Sequence, residues 1–362
     1  MKSIKSKLVV YFSILILLLS IAIGYISIQR ASTALTKESE KNIVALSYEG
    51  AKLIKNNIET QKRTLEMIAL REDIQSMDLE LQLPALQNQV SKTNFMDIAV
   101  AQLDGTAYYS DGTTSQLGDR EYIKNALNGE SNVSDILLSR VTNNLVLMYA
   151  APIQRNGKVV GALIGRRDGN SLSYLIDDSG FGVEGYGYII NREGTVVGHP
   201  DRALVKNQFN PIKESNQDDS LKSLAELYEE ILENKRGVSE YTFEGKNMYA
   251  GYAPIEGTNW MFIYTSFEDD VLAGILPLRN AIIWVIGIVF ILGIIFTYIL
   301  GNSISKPIIE TVKFSKNISD LDISQDIPEK MLKKKDETGE ISKAFQNIIV
   351  NLREIIQEVN DS

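Results

Sequence analysis

The sequence predicts an α+β membrane protein. Two transmembrane helices bracket an antiparallel-sheet domain, and a short helical module follows the second. Three observations carry this. The runs Leu8–Ile28 and Ala281–Leu300 are apolar and uncharged. Each is about 20 residues long, enough at about 1.5 Å per residue to span a hydrocarbon core of about 30 Å. Between them, strand–turn–strand patterns occur in two rounds. After the second run, apolar residues step by four and three, the spacing of a coiled-coil seam.

Composition narrows the function classes. The formal net charge of −9 argues against a nucleic-acid binder, which would carry a basic face. The chain has no cysteine and one histidine, His199. Disulfide frameworks, thiolate metal sites and His-pair metal sites are thereby excluded. Spacing supports no nucleophile–base pair, so no catalytic residue, cofactor or metal is expected.

Residues 1–7 form a lysine-rich flank with Lys2, Lys5 and Lys7 ahead of the first span at 8–28. Lys306 and Lys333–Lys335 follow the second span at 281–300. Cytoplasmic flanks favour Lys and Arg, so both termini are placed inside and the intervening segment outside. A cleaved signal peptide is the alternative for the first span, but no A-x-A site follows it.

Residues 29–83 contain no proline and one glycine, Gly50. Leu46, Leu53, Ile54, Ile58, Leu65 and Ile68 keep near-helical spacing. The expectation is one long helix leaving the membrane, which at about 60 residues reaches roughly 90 Å. A first sheet module is expected over about 84–170. "MDIAVAQLDGTAYYSD" reads as strand, D-G turn and strand, and "REYIKNALNGE" as a short helix. "NLVLMYAAPIQRNGKVVGALIGRRD" reads as two strands joined at Asn156-Gly157. A second module is expected over about 183–270, joined to the first near Ser171–Gly182. It repeats the order with "YGYIINREGTVVGHPD", "LKSLAELYEEILENKRG" and "KNMYAGYAPIEGTNWMFIYTS". "YAAPI" at Tyr149–Ile153 answers "YAPI" at Tyr252–Ile255. His199, in "GHPD", is read as a turn residue.

Together "DREYIKNALNGE", "LVLMYAAPIQRNGKVVGALIG", "GYGYIINREGTVVGHPD" and the long N-terminal helix resemble the double Cache sensor domains of bacterial chemoreceptors and sensor kinases. The resemblance covers about 29–274 and implies two tandem PAS-like modules. A small ligand is then expected in the membrane-distal one, with Arg120 and Tyr122 in its pocket and Tyr108, Tyr109 and Tyr149 as further ligand contacts. The amino-acid-binding branch of that family wants an aromatic pair, a further Tyr and an Asp for the ligand ammonium. Here Ile123 stands in the second aromatic place and Leu137 where a Tyr is common. The Asp region reads Arg166, Arg167, Asp168. An arginine there repels ammonium, so an organic anion is the expected ligand. Solvated strand-end charges are the alternative reading of Arg166 and Arg167.

In the last segment, Ile304, Ile308, Thr311, Ser315 and Ile318 form one seam. Ile341, Phe345, Ile348, Leu352, Ile355 and Val359 form another. Such short amphipathic helices cannot bury their seams alone, and two copies would make a parallel four-helix bundle. Pro307, Ile318, "DLDI" and "DETGEI" resemble a HAMP relay over about 301–356, and residues 357–362 read as the start of a further coil. In that family an acid pair and a glycine open the second helix, here Asp336, Glu337 and Gly339. Pro307 is expected near a helix start, and Leu321 departs from the usual glycine. The resemblance implies a homodimer in the plasma membrane, in contact with lipid, that relays to a cytoplasmic signalling partner. These 362 residues hold no methyl-accepting signalling hairpin, H-box or GGDEF-type motif. A chemotaxis-type receptor and the sensory half of a histidine kinase or diguanylate cyclase both remain open at this point.

Overall fold

The computed structural model describes residues 4–177, 185–320 and 322–360. The remainder of the expected joint near Ser171–Gly182, and Leu321, lie outside them. The chain divides into two compact units, Ala34–Gly274 and the pair of segments Met1–Thr33 and Ile275–Ser362.

Helix α1 (Ile4–Ala69) contributes to both. In the Ala34–Gly274 unit it buries Ile43, Ala51, Ile54, Ile58, Leu65 and Ile68, while Leu53 of the expected stripe faces solvent. The expected helix to residue 83 is corrected, because α1 stops at Ala69. Arg71 is extended and pairs with Asp73, opening the one-turn α2 (Glu72–Gln75), whose Ile74 is fully buried. Met77 then takes a positive φ, and Asp78 caps α3 (Leu79–Val90) by accepting from the Glu80 N–H. Two reversals thus return the chain to the sheet. The expected module boundary at Pro84 is corrected too: Pro84 lies exposed inside α3 and the sheet begins at Asp97.

The first sheet contains β1 (Asp97–Ala101), β2 (Thr106–Tyr109) and β3 (Thr114–Gln116). After α4 (Glu121–Leu127) come β4 (Asn132–Val133), β5 (Leu137–Leu138), β6 (Leu145–Arg155) and β7 (Lys158–Asp168). Its order is β3-β2-β1-β7-β6-β4, with β5 also on β6. Asn156 and Gly157, both at positive φ, make the tight β6–β7 turn as expected.

Helix α5 (Ser171–Asp177) leads toward the second sheet, which opens with β8 (Tyr186–Ile190) and β9 (Val196–Gly198). Then come α6 (Arg202–Lys206), α7 (Pro211–Glu214) and α8 (Lys222–Asn234). The strands β10 (Gly237–Phe243), β11 (Lys246–Ile255) and β12 (Trp260–Phe267) complete it, in the order β10-β11-β12-β8-β9. In each sheet the opening strand lies beside the closing strand, and the penultimate strand follows. The internal repeat read from the sequence is therefore a repeat of topology.

Helix α1 packs on one face of the second sheet through two glycines. A Cβ at Gly50 would fall 2.2 Å from the Phe262 ring, and one at Gly251 would fall 2.5 Å from Ile43. The opposite face carries Tyr188, Tyr252 and Ile263 beneath α8, whose Tyr228 stacks on Tyr188 with ring centroids 6.0 Å apart.

After the one-turn α9 (Glu268–Val271), the other unit contains α10 (Ile275–Ser319), α11 (Glu329–Leu332) and α12 (Glu337–Asn360). Helices α1 and α10 are both long and apolar enough to cross a membrane. Gly24 lies against Ile286 and Gly293 against Ile16. The expectation for Pro307 is corrected: it sits inside α10, which runs unbroken through Ser319. The carbonyl left without its helical partner is that of Ser303, in the exposed stretch Asn302, Ser303 and Ile304.

The connector is pinned to α12. Arg353 donates to the Ile323 carbonyl through Nε at 2.8 Å and Nη2 at 2.6 Å, and also to Asp326. Ile318 packs against the cluster of Ile327, Met331 and Ile349. Asp336 caps α12 by accepting from the Gly339 N–H at 3.0 Å, and Glu337 lies in the first turn. A Cβ at Gly339 would meet the Lys334 carbonyl at 2.2 Å, so the connector passes close there. The seam residues Ile304, Ile341, Ile348 and Ile355 remain exposed in the single chain.

Candidate ligand-binding site

The two faces of the first sheet differ in kind. Toward α1, Ile98, Val100, Leu147, Tyr149 and Leu163 belong to the main core. Toward α4 lie Ala99, Ala101, Ala107, Ala150 and Ala162, with Ala126 on the helix itself. Val146, Met148 and Ile164 of the strands and Ile123 of the helix fill the rest of this face. Into this layer reach Tyr109 from β2, Tyr122 from α4 and Arg166 from β7.

Arg166 is buried and stands opposite Asp97 in the β1–β7 register. Its Nη2 donates to Asp97 Oδ2 at 3.0 Å, and its guanidinium carbon lies 5.2 Å from the Tyr109 ring centroid. Asp97 Oδ1 accepts from the Ser110 hydroxyl at 2.6 Å and from the Ile98 N–H at 2.8 Å. Arg166 Nε and Nη1 are buried with no hydrogen-bond partner among the described residues, and so is Arg120 Nε. Arg120 precedes α4 and donates from Nη2 to the Leu138 carbonyl at 3.3 Å. Burial pushes the phenols of Tyr109 and Tyr122 upward, so both stay neutral donors. Arg140 clamps Asp119, just ahead of α4, and holds its carboxyl down at about 2.

A cleft of about 570 Å³ opens beside this layer. Arg120, Tyr122, Asn132 and Leu137 line one wall, and Thr258 and Trp260 of the second module line the other. The Trp260 indole N–H donates to Asp135 across it.

The structure therefore brings together Arg120, Tyr122, Tyr109 and Arg166 of the expected site. Three others face away, and the reason is strand parity. Tyr149 points to the opposite face, into the main core, and meets Phe95 edge-on, with ring centroids 5.9 Å apart. Tyr108 alternates with Tyr109 and pairs with Val100 of the main core. Arg167 alternates with Arg166, pairs in register with Leu147, and lies half-buried next to the end of β7 on the other face. Asp168 shares the parity of Arg166 but is exposed, and its Oδ1 accepts from the Asn170 N–H at 2.8 Å. Ile123 is fully buried in the α4 layer, and Leu137 packs against it. Sequence reasoning missed Asp97 and Ser110. The only signal for Asp97 was a charge at the inward parity of "DIAVA".

His199 is more than a turn residue. Its ring contacts Tyr186 and Tyr188 at centroid distances of 5.3 and 5.6 Å, and its Nδ1 accepts from the Asp201 N–H at 2.8 Å. Burial lowers it to about 4.

Comparison with known proteins fits this geometry. The chain is 24% identical over 246 residues to the methyl-accepting chemotaxis protein McpA of Bacillus subtilis, covering 67% of this chain and 34% of that protein. It is 22% identical to a probable methyl-accepting chemotaxis protein of Bacillus thuringiensis, covering 98% of this chain and 52% of that one. The chain thus spans about a third to a half of the length of these relatives. The sensory domain of the Campylobacter jejuni chemoreceptor Tlp3, solved with isoleucine, superposes with a TM-score of 0.52 at 13% identity, over 66% of this chain and 97% of that one. The ligand-binding domain of the Pseudomonas fluorescens chemoreceptor CtaA, solved with L-isoleucine, gives 0.52 at 19% identity, over 67% and 98%. The Cache domain profile dCache_1 matches residues 30–275, more than half of the chain, and the chain belongs to that family.

Proposed function

We propose that this chain is the sensory and relay part of a chemotaxis-type transmembrane receptor. Both termini are cytoplasmic in this reading, and Ala34–Gly274 is a double Cache sensor on the outer face of the plasma membrane. A small ligand sits between α4 and the first sheet, held by Arg120, Tyr122, Tyr109 and Arg166. Closure on the ligand biases α10, which repacks a HAMP relay within a homodimer. Pro307, Ile318, Asp336, Glu337 and Gly339 shape that relay, and a cytoplasmic signalling partner reads it.

The observation that carries this reading is the contrast between the two modules. The α4-facing layer of the first sheet mixes alanines with Val146, Met148 and Ile164 and holds buried guanidinium nitrogens that have no hydrogen-bond partner among the described residues. The equivalent layer of the second is filled by Tyr188, Tyr228, Tyr241 and Tyr252. Relatives named as methyl-accepting chemotaxis proteins favour the chemotaxis output over a kinase or cyclase.

The test uses the full chain in lipid nanodiscs. Amino acids and organic acids are screened for a shift in thermal unfolding, and hits are repeated on Arg120→Ala and Tyr122→Ala. Because the chain lacks cysteine, Ile348→Cys gives a single thiol whose disulfide rate reports the relay seam. The expected result is a hit that both substitutions weaken and that changes the cross-linking rate. A ligand whose binding neither substitution affects refutes the distal site, and an unchanged cross-linking rate refutes the relay.

A further inference from the structure

We propose that Arg140 and Asp119 form a latch that fastens the segment 134–144 against the start of α4 and so gates access to the α4 layer. This rests on the reading of that layer as the ligand site and adds how it is closed.

The segment joins β4 to β6 and takes in β5. The sheet holds one side of it. Ser134 exchanges two bonds with Met148, its N–H donating to the carbonyl at 2.8 Å and its hydroxyl accepting from the Met148 N–H at 3.1 Å. Leu137 and Leu138 pair with Val146 and Leu145. The tip, 139–144, is closed on itself. The Ser139 hydroxyl accepts from the N–H groups of Val141 and Thr142 at 3.2 Å each, and the Ser139 N–H donates to the Asn144 carbonyl at 2.9 Å. Leu137 and Val141 of the segment pack on the α4 layer.

On the other side, two arginines cross to the start of α4, one in each direction. Arg120 Nη2 donates to the Leu138 carbonyl at 3.3 Å. Arg140 Nη1 donates to the Gln116 carbonyl at 2.8 Å and to Asp119 Oδ1 at 2.7 Å, and its Nη2 donates to Asp119 Oδ2 at 2.6 Å. The Arg140 crossing is thus a bidentate fork with a third acceptor, and it is the stronger tie. An exposed ion pair adds little unless its geometry is of this kind.

Tyr122 and Leu137 mark what the tie closes. Both line the cleft of about 570 Å³, and both also pack in the α4 layer behind it. Parting α4 from the segment there opens the layer to the cleft. Asp119 and Arg140 lie outside the cleft lining. They act by position, holding the wall shut without touching what enters.

Single cysteines read the gate, since the chain has none of its own. Ala150 and Ala151 are fully buried neighbours on β6, Ala150 in the α4 layer and Ala151 in the main core. Ala150→Cys and Ala151→Cys are each labelled with iodoacetamide in the full chain in nanodiscs, alone and combined with Arg140→Gln or Asp119→Asn. Each latch variant is expected to speed labelling at position 150 about fivefold, the effect of a well-formed exposed pair, and to leave position 151 unchanged. Equal acceleration at both positions would make the pair a general stabiliser of the module and overturn the gate, and so would no acceleration at position 150. If Ala150→Cys does not fold, Ala162→Cys reads the same layer from β7. Hydrogen exchange needs no cysteine: Arg140→Gln should raise it across 137–141 and not in β7, and unchanged exchange at 137–141 refutes the latch. No ligand is present in these measurements. Failure here therefore leaves the ligand-site reading to the thermal screen, and a failed screen leaves the latch to be decided by labelling.

Discussion

Gly50→Ala is expected to destabilise the protein, although it improves a helix. Gly50 lies in the middle of α1, where alanine gains about 1 kcal/mol of helix propensity. Against this stands the Phe262 ring. A Cβ at Gly50 would lie 2.2, 2.5 and 2.8 Å from three of its carbons. The ring has little room to retreat, because a Cβ built at Gly187 would lie 2.6 Å from the same ring. Phe262 is also almost fully buried, so it cannot swing into solvent. Overpacking a rigid core site costs up to about 3 kcal/mol. The net loss is then about 2 kcal/mol, a fall in melting temperature of roughly 4–8 °C for a unit of this size. Thermal unfolding of the full chain in nanodiscs, followed by near-ultraviolet circular dichroism, measures it. Gly50→Ala/Phe262→Leu should recover most of the loss, since the shorter side chain vacates the contact. A Gly50→Ala protein that melts higher than wild type would show that α1 does not press on β12 at this point.

Acid should destabilise the second module through His199. Its folded value of about 4 lies below the 6.5 of an exposed histidine, because burial among tyrosines disfavours the charged ring. The unfolded chain therefore takes up the proton first. This contribution is complete above about pH 6.5 and is lost as pH falls toward 4, about 3 kcal/mol in all. In urea titrations from pH 4 to 8, the stability difference between wild type and His199→Gln should shrink with falling pH, and a constant difference would contradict this. Trp260→Phe removes the indole donor to Asp135 and should cost about 1–3 kcal/mol. Hydrogen exchange should rise at residues 134–136 and 257–260 but not in β6 and β7, and a uniform rise would mean that the bond does not join the modules locally. Arg353→Ala releases the Ile323 carbonyl and Asp326, so proteolysis in the connector should accelerate, and unchanged cleavage would count against the pin. Tyr149→Phe should leave ligand affinity within about twofold, because its ring packs on Phe95 on the face away from α4. A larger loss would return Tyr149 to the site.

The architecture was legible where one element carries its own period. The two apolar runs, the D-G and N-G turns, and the order of strands around α4 and α8 all follow from local pattern. The end of α1 was not legible, because no proline or glycine marks Ala69. The stop is made by Ile74, which is buried only after the chain has turned, and by the Asp78 cap. The small strands β3, β4 and β5 were missed because two or three residues carry no period. Strand β10 was missed because "GVSEYTF" alternates weakly, and its role is set by pairing with β11.

Tyr108, Tyr149 and Arg167 differ from the expected site for one physical reason. A strand puts neighbours on opposite faces, so Tyr108 and Tyr109, or Arg166 and Arg167, cannot both line one pocket. Choosing within each pair needs the identity of the layer on either side, and that comes from which helix covers which face. Once α4 is seen above Ala99, Ala107 and Ala162, the inward parity selects Tyr109 and Arg166. The same parity selects Asp97 and rejects Tyr149, Tyr108 and Arg167. Carried to the second sheet, it places Tyr188, Tyr252 and Thr265 under α8, where Tyr241 shares a hydrogen bond of 2.8 Å with Thr265. One topology is thus built twice with opposite fillings. The first layer keeps buried arginine nitrogens without a hydrogen-bond partner among the described residues, whereas stacked tyrosines fill the other from within. The tyrosine-filled second module is in turn held against α1 at Gly50 and Gly251.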